Sequence, residues 1–159
     1  MPSQPIEIIE AEEMSALIRL ENVGLGYELD ISIAIERSLL LRIRIAEVSA
    51  LCKRMSRRAT QTQSDDAYRV TVTEENVVSV GYKLAKALTK INNRSLTSAE
   101  VCEVLGISNL ERIRWTKSGR LVSAGKEDIG RSGSVKSDLY RPRDIVSISS
   151  DHIADWRTV

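Results

Sequence analysis

Between positions 108 and 120 the chain carries Ser108, Asn109, Arg112, Arg114, Lys117 and Arg120, a run of hydrogen-bond donors with one carboxamide among them. A guanidinium can pair bidentately with guanine or phosphate oxygens, a carboxamide with adenine, and an ammonium with phosphate as a point charge. Arg131, Lys136 and Arg141 add three more cationic groups downstream. Such residues, gathered on one surface, recognise a polyanion. Turnover has no comparable set. Cys52 and Cys102 lie fifty residues apart, and His152 is the only histidine, so neither a zinc ligand set nor a Cys-His nucleophile pair is expected. Gly24 and Gly26 form an isolated GxG without the rest of a phosphate-binding loop, and Glu12-Glu13 and Asp65-Asp66 read as a helix start and a linker. The expectation is a non-enzymatic chain without cofactor or metal.

The elements that must position these side chains are written in Leu96 to Leu121, LTSAEVCEVLGISNLERIRWTKSGRL. Thr97 with Glu100, and Ser108 with Glu111, have the three-residue spacing of a capping box, in which each side chain satisfies the other residue's backbone N–H. Two helix starts therefore fall eleven residues apart. Gly106 between them suits the left-handed residue that ends a helix, and Ile107 is the apolar plug of the turn. Val101, Val104 and Leu105 form the buried side of the first helix, and Gly119 closes the second, over 109–118. Two extended stretches follow, Leu121 to Ile129 and Val135 to Tyr140, around the turn residues Gly130-Arg131-Ser132-Gly133-Ser134. That order is helix, turn, helix and basic hairpin. An ordinary helical hairpin in an all-α core is the alternative for the helix pair alone.

Thr97, Glu100, Val101, Leu105, Gly106, Ser108, Trp115, Gly119 and Leu121, with the hairpin and Tyr140-Arg141-Pro142-Arg143-Asp144-Ile145, resemble the MerR-like and excisionase-like winged helix-turn-helix over about residues 96–148. The resemblance implies a small DNA-binding domain used by transcription regulators, recombination directionality factors and some terminase small subunits, commonly as dimers or higher assemblies. It implies the second helix in the major groove and the wing, residues 129–136, beside it. The chain departs from the family where Arg112 stands at a normally apolar position and Ile113 follows. Two orientations stay open. Leu110 and Ile113 inward would put Asn109, Arg112 and Thr116 outward, whereas Trp115 inward would expose Arg114 more.

The net charge of +1 hides a strong segregation. Residues 1–30 hold seven acids and one base, while residues 83–143 hold thirteen bases and six acids. Positive charge gathers around the helix pair and hairpin. Upstream, Tyr68 to Thr73 alternates like a short strand, and Val77, Gly81, Leu84, Leu88 and Ile91 form a helical stripe opposite Lys83, Lys86 and Lys90. This strand and helix are expected to complete the DNA-binding unit, 68–148.

The N-terminal half reads as a helical oligomerisation region, 1–58. A shorter helix over Ala11 to Asn22 and a bend at Val23-Gly24-Leu25-Gly26 lead into one long helix from Ile31. There Ile31, Ala34, Ser38, Leu41, Ile45, Val48, Cys52 and Met55 keep a heptad spacing. This stripe packs either on the shorter helix within one subunit or on its copy in another, as a homodimer or higher oligomer through about residues 10–58. The polar run 59–67 reads as a linker and 149–159 as a C-terminal tail. The fold class expected is mainly α with a small β-hairpin wing. Two unpaired thiols and no long apolar span point to a cytoplasm, bacterial or that of a phage host, and to no membrane partner. The partners expected are double-stranded DNA and a second copy. Transcription regulation is the first functional reading, an excisionase-like or terminase-small-subunit-like architectural or packaging factor the second. A protein-binding winged-helix adaptor, with the acidic first thirty residues and Trp115 or Trp156 at its interface, belongs to a different class.

Overall fold

The computed structural model describes residues 9–24, 26–60, 68–129 and 135–158. The fold is mixed α/β, with nine helices and two small antiparallel sheets among the described residues. It divides into two compact units, one covering Ile8–Asn93 and the other running from Arg94 onward.

In the first unit, the short helix α1 (Ala11–Ala16) precedes the strands β1 (Arg19–Asn22) and β2 (Tyr27–Asp30), then α2 (Ser32–Arg37), α3 (Leu39–Ile43), α4 (Ile45–Thr60), β3 (Arg69–Val72) and α5 (Val77–Asn93). The sheet order is β1-β2-β3, antiparallel throughout. Its residues alternate as period-two patterning demands. Leu29, Val70 and Val72 are buried on the inner face, while Arg69 on the outer face meets Glu28 at 3.1 Å and Asp30 at 3.6 Å. Burial opposes ionisation of Asp30, but hydrogen bonds from Ser32 and the Arg69 and Arg19 charges hold its carboxyl below the ordinary value.

Two expectations for this half are corrected. Only the first part of Ala11 to Asn22 is helical. Arg19 to Asn22 is a strand because the chain reverses at Gly24, which has φ +86°, and Val23 N–H donates to Gly26 O at 3.0 Å. The expected bend between helices is thus a hairpin turn. The long helix from Ile31 is broken into three. Ser38 is extended, at φ −111° and ψ 112°, and its hydroxyl accepts from Leu41 N–H at 3.1 Å. Arg44 sits at the second break and donates to the end carbonyls of α5, Ile91 O and Asn92 O.

The breaks have a packing reason. A straight helix would spread its stripe along one line, whereas three short segments wrap Ile31, Ala34, Leu41, Val48 and Cys52 around one centre, where all are buried. Leu84 and Leu88 of α5 lie in the same core. The stripe from which assembly was expected is therefore consumed within the subunit. The unit boundary is corrected as well: β3 and α5 belong with the N-terminal core, and the division falls at Asn93–Arg94, not in the expected linker 59–67. Ala59 and Thr60 end α4, and residues 61–67 lie outside the described residues.

The second unit holds α6 (Ser98–Leu105), α7 (Asn109–Lys117), the hairpin β4 (Gly125–Ile129) and β5 (Val135–Leu139), then α8 (Pro142–Val146) and α9 (Ser150–Thr158). Its buried residues include Leu96, Val101, Trp115, Leu121, Tyr140, Ile145 and Ile153. Leu96 and Tyr140 exchange backbone hydrogen bonds of 2.6 and 2.9 Å, which closes the start of the unit against the end of its hairpin. The expected tail 149–159 is instead the helix α9. No helix among the described residues is long and apolar enough to cross a membrane.

Candidate nucleic-acid interface

Both capping boxes form. Thr97 Oγ1 accepts from Glu100 N–H at 3.2 Å, and Thr97 N–H donates to Glu100 Oε1 at 2.9 Å. Ser108 and Glu111 repeat the exchange at 3.1 and 2.8 Å. Gly106 is left-handed, at φ +64°, and Ile107 is buried beneath the turn. The angle and register of α7 relative to α6 are thereby set by local chemistry.

The orientation left open by the sequence resolves around Trp115, which is 2 % exposed. Leu110 is correspondingly turned out, 74 % exposed, and not inward. Arg112 is the main correction. It was expected on the outer face but is only 6 % exposed and belongs to an internal network. Its Nη1 donates to Tyr140 Oη at 2.9 Å and lies 3.8 Å from Asp138 Oδ2, while Nε and Nη2 both donate to Asn109 Oδ1, at 3.1 and 2.8 Å. Thr116 Oγ1 stands 2.7 Å from the same tyrosine oxygen. Arg112 thus ties α7 to β5 and has no donor set facing solvent for a base. A buried guanidinium is tolerated here because its charge and hydrogen bonds are met.

This arrangement also defines what Asn109 offers. Its carboxamide oxygen accepts twice from Arg112, so the group left for a partner is the Nδ2 donor pair. Adenine pairing needs a free carboxamide acceptor as well as a donor, whereas guanine O6 and N7 or a phosphate need donors alone.

The remaining candidates separate cleanly. Arg114 and Lys117 are exposed on α7, and with Leu110 and half-buried Ile113 they make up its solvent face. Ser108 is exposed, but its hydroxyl is engaged by the cap. Arg120 is exposed, its guanidinium carbon 5.8 Å from the Trp156 ring centre. Lys136 pairs across the hairpin with Asp128 at 2.8 Å, a solvent-exposed pair of small energetic weight. Arg141 is exposed at the start of α8. Arg131, with the hairpin tip 130–134, lies outside the described residues. Lys83, Lys86 and Lys90 are exposed on α5, in the other unit.

Sequence reasoning missed α9 entirely. Trp156 meets Trp115 edge to face at 5.1 Å, and Arg157 donates to Glu111 Oε1 at 2.8 Å and to Gly106 O at 2.9 Å. Arg157, with the backbone N–H of Ser108, holds the Glu111 carboxyl at about 2. The last helix therefore clamps the turn and the second capping box. The signal for it was present in Ser149 and His152, whose backbone N–H groups donate to His152 Nδ1 at 3.0 Å and Ser149 Oγ at 3.2 Å at its start, and in the inward spacing of Ile153 and Trp156.

No known family model, no curated protein and no solved structure matches this chain.

Proposed function

We propose that this is a sequence-specific DNA-binding protein of the MerR-like or excisionase-like winged helix kind, acting in the cytoplasm as a transcription regulator and binding as a homo-oligomer. In this reading α7 enters the major groove and the β4–β5 hairpin lies alongside as the wing. The observation that carries it is the doubly capped helix pair around Gly106, with Arg114 and Lys117 on the free face of the second helix and a hairpin locked to that helix through Arg112. Arg114 is the candidate base reader, Asn109 a donor to guanine or phosphate, and Lys117, Arg120 and Arg141 phosphate contacts.

Fluorescence anisotropy of labelled genomic fragments across a salt series tests it. Apparent affinity should fall with a log–log slope of about −0.9 for each phosphate contacted. A response independent of salt, or no binding at any salt, overturns the proposal.

A protein-binding adaptor is the second reading, favoured by the exposure of Leu110 and by the near balance of eleven bases and nine acids over residues 94–159. Under that reading Leu110→Ala abolishes capture of a protein partner, and Lys117→Ala leaves it intact.

A further inference from the structure

We infer that two copies of this chain join through β1, edge to edge, into one six-stranded sheet. This rests on the homo-oligomer part of the function proposed above but not on DNA binding. Among the described residues β1 pairs with β2 alone. Its backbone polarity follows from the hairpin. Val23 and Gly26 are a hydrogen-bonded pair, so the alternation of an antiparallel ladder points the N–H and C=O of Arg19 and Glu21 at β2 and those of Leu20 and Asn22 outward. An edge with outward donors and acceptors is a template for another strand.

The side chains select which strand. Pairing β1 with its own copy in antiparallel sense requires outward-facing residues to oppose outward-facing residues, so the twofold axis passes beside Leu20, Glu21 or Asn22. Centred on Leu20, the register places Arg19 opposite Glu21 twice, once on each side of the twofold axis. Centred on Glu21, it places two glutamates directly opposite, which is repulsive. Centred on Asn22, it sets Glu21 against Val23, so only the Leu20-centred register brings opposite charges together.

The surface beside the edge agrees. Leu20, Val78 and Tyr82 are 55, 82 and 70 % exposed and line one groove of about 370 Å³, together with buried Leu29 and with Gly81. Leu20 lies on the inner face of the sheet, the face that α5 covers only in part. In the Leu20-centred pair the two leucines adjoin, and the two grooves become one apolar layer under a continuous sheet. An isologous contact of this kind closes on itself and forms no fibre.

The experiment is the mass of the full chain by sedimentation over a concentration series, for the wild type, Arg19→Glu, Glu21→Arg and the double exchange. The wild type should be a dimer. Each single variant puts like charges opposite at two places and should raise the dissociation constant about tenfold, and the double exchange should restore it. Tyr82→Lys, which leaves the strand intact, should weaken the dimer as well. A wild type that is monomeric at all concentrations overturns the inference, as does a dimer indifferent to both single exchanges. The DNA reading is judged separately, by the salt series. A monomer with salt-dependent DNA binding would refute the pairing alone, and a dimer without DNA binding would refute the DNA reading alone.

Discussion

Arg112 shows how much a single side chain can change a surface. From the sequence it is one of four bases between positions 112 and 120 and a natural reader of guanine, yet its guanidinium is used up by Asn109, Tyr140 and Asp138. Removing it leaves a buried phenol and a half-buried carboxylate short of a donor. Arg112→Ala should lower unfolding stability by about 3 kcal/mol, measured by urea denaturation, and should weaken every DNA sequence alike. Arg114→Ala should leave the denaturation midpoint unchanged within about 0.5 kcal/mol while relaxing sequence preference in a bound-sequence selection. Unaltered stability in the Arg112 variant would place that side chain back on the surface. The exposure of Leu110 has the same origin. Helical periodicity permits either orientation, and the orientation is chosen by Trp115 filling the core and by the network around Arg112.

The helix pair is the element whose sequence is most transparent, because its signals are local. Capping boxes, a left-handed glycine and an apolar plug act within four residues of one another, so Thr97, Ser108, Gly106 and Ile107 took their expected places. Thr97→Ala and Ser108→Ala should each cost about 1 kcal/mol, and thermal melts would test this. Gly106→Ala meets no atom, so its cost of about 1 kcal/mol would come from backbone conformation alone. The clamp by α9 is pH-dependent. Glu111 has its folded value lowered to about 2 from 4.5, so the stabilisation is complete above pH 4.5 and is lost as pH falls towards 2. Trp115 and Trp156 report it, and their fluorescence should change across that window in the wild type. In Glu111→Gln the change should be absent, and a persistent transition would assign it to another carboxyl. The three-part break of the expected long helix was not legible in this way. At the two breaks Ser38 Oγ donates to Asn92 Oδ1 and Arg44 to the last carbonyls of α5, partners more than forty residues away in sequence.

At the level of the molecule, the division at Asn93–Arg94 gives a direct test. A fragment of residues 94–159 should unfold cooperatively, followed by tryptophan fluorescence. A fragment of residues 61–159 should aggregate, since it keeps α5 but removes the strands and helices against which Leu84 and Leu88 pack. A soluble, helical 61–159 fragment would restore the larger grouping of 68–148. Charge was a poor guide at this scale. The surplus of bases over residues 83–143 runs across the boundary between units, and three of its lysines belong to the N-terminal one.

What the sequence determined alone was carried by contacts between near neighbours: the two capped helices, the turn, the hairpin after them, and the buried stripe of Ile31, Ala34, Leu41, Val48 and Cys52. Hydrogen bonds across three residues and periodicities of two or 3.6 are properties of a segment. Tertiary packing alone decided that Arg19 to Asn22 pairs as a strand, that Ile31 to Thr60 folds into three helices around its own core, that Arg112 turns inward and that α9 returns to clamp Glu111. Each of these depends on a partner distant in the chain, and a segment's pattern says that a face must be covered without saying by what.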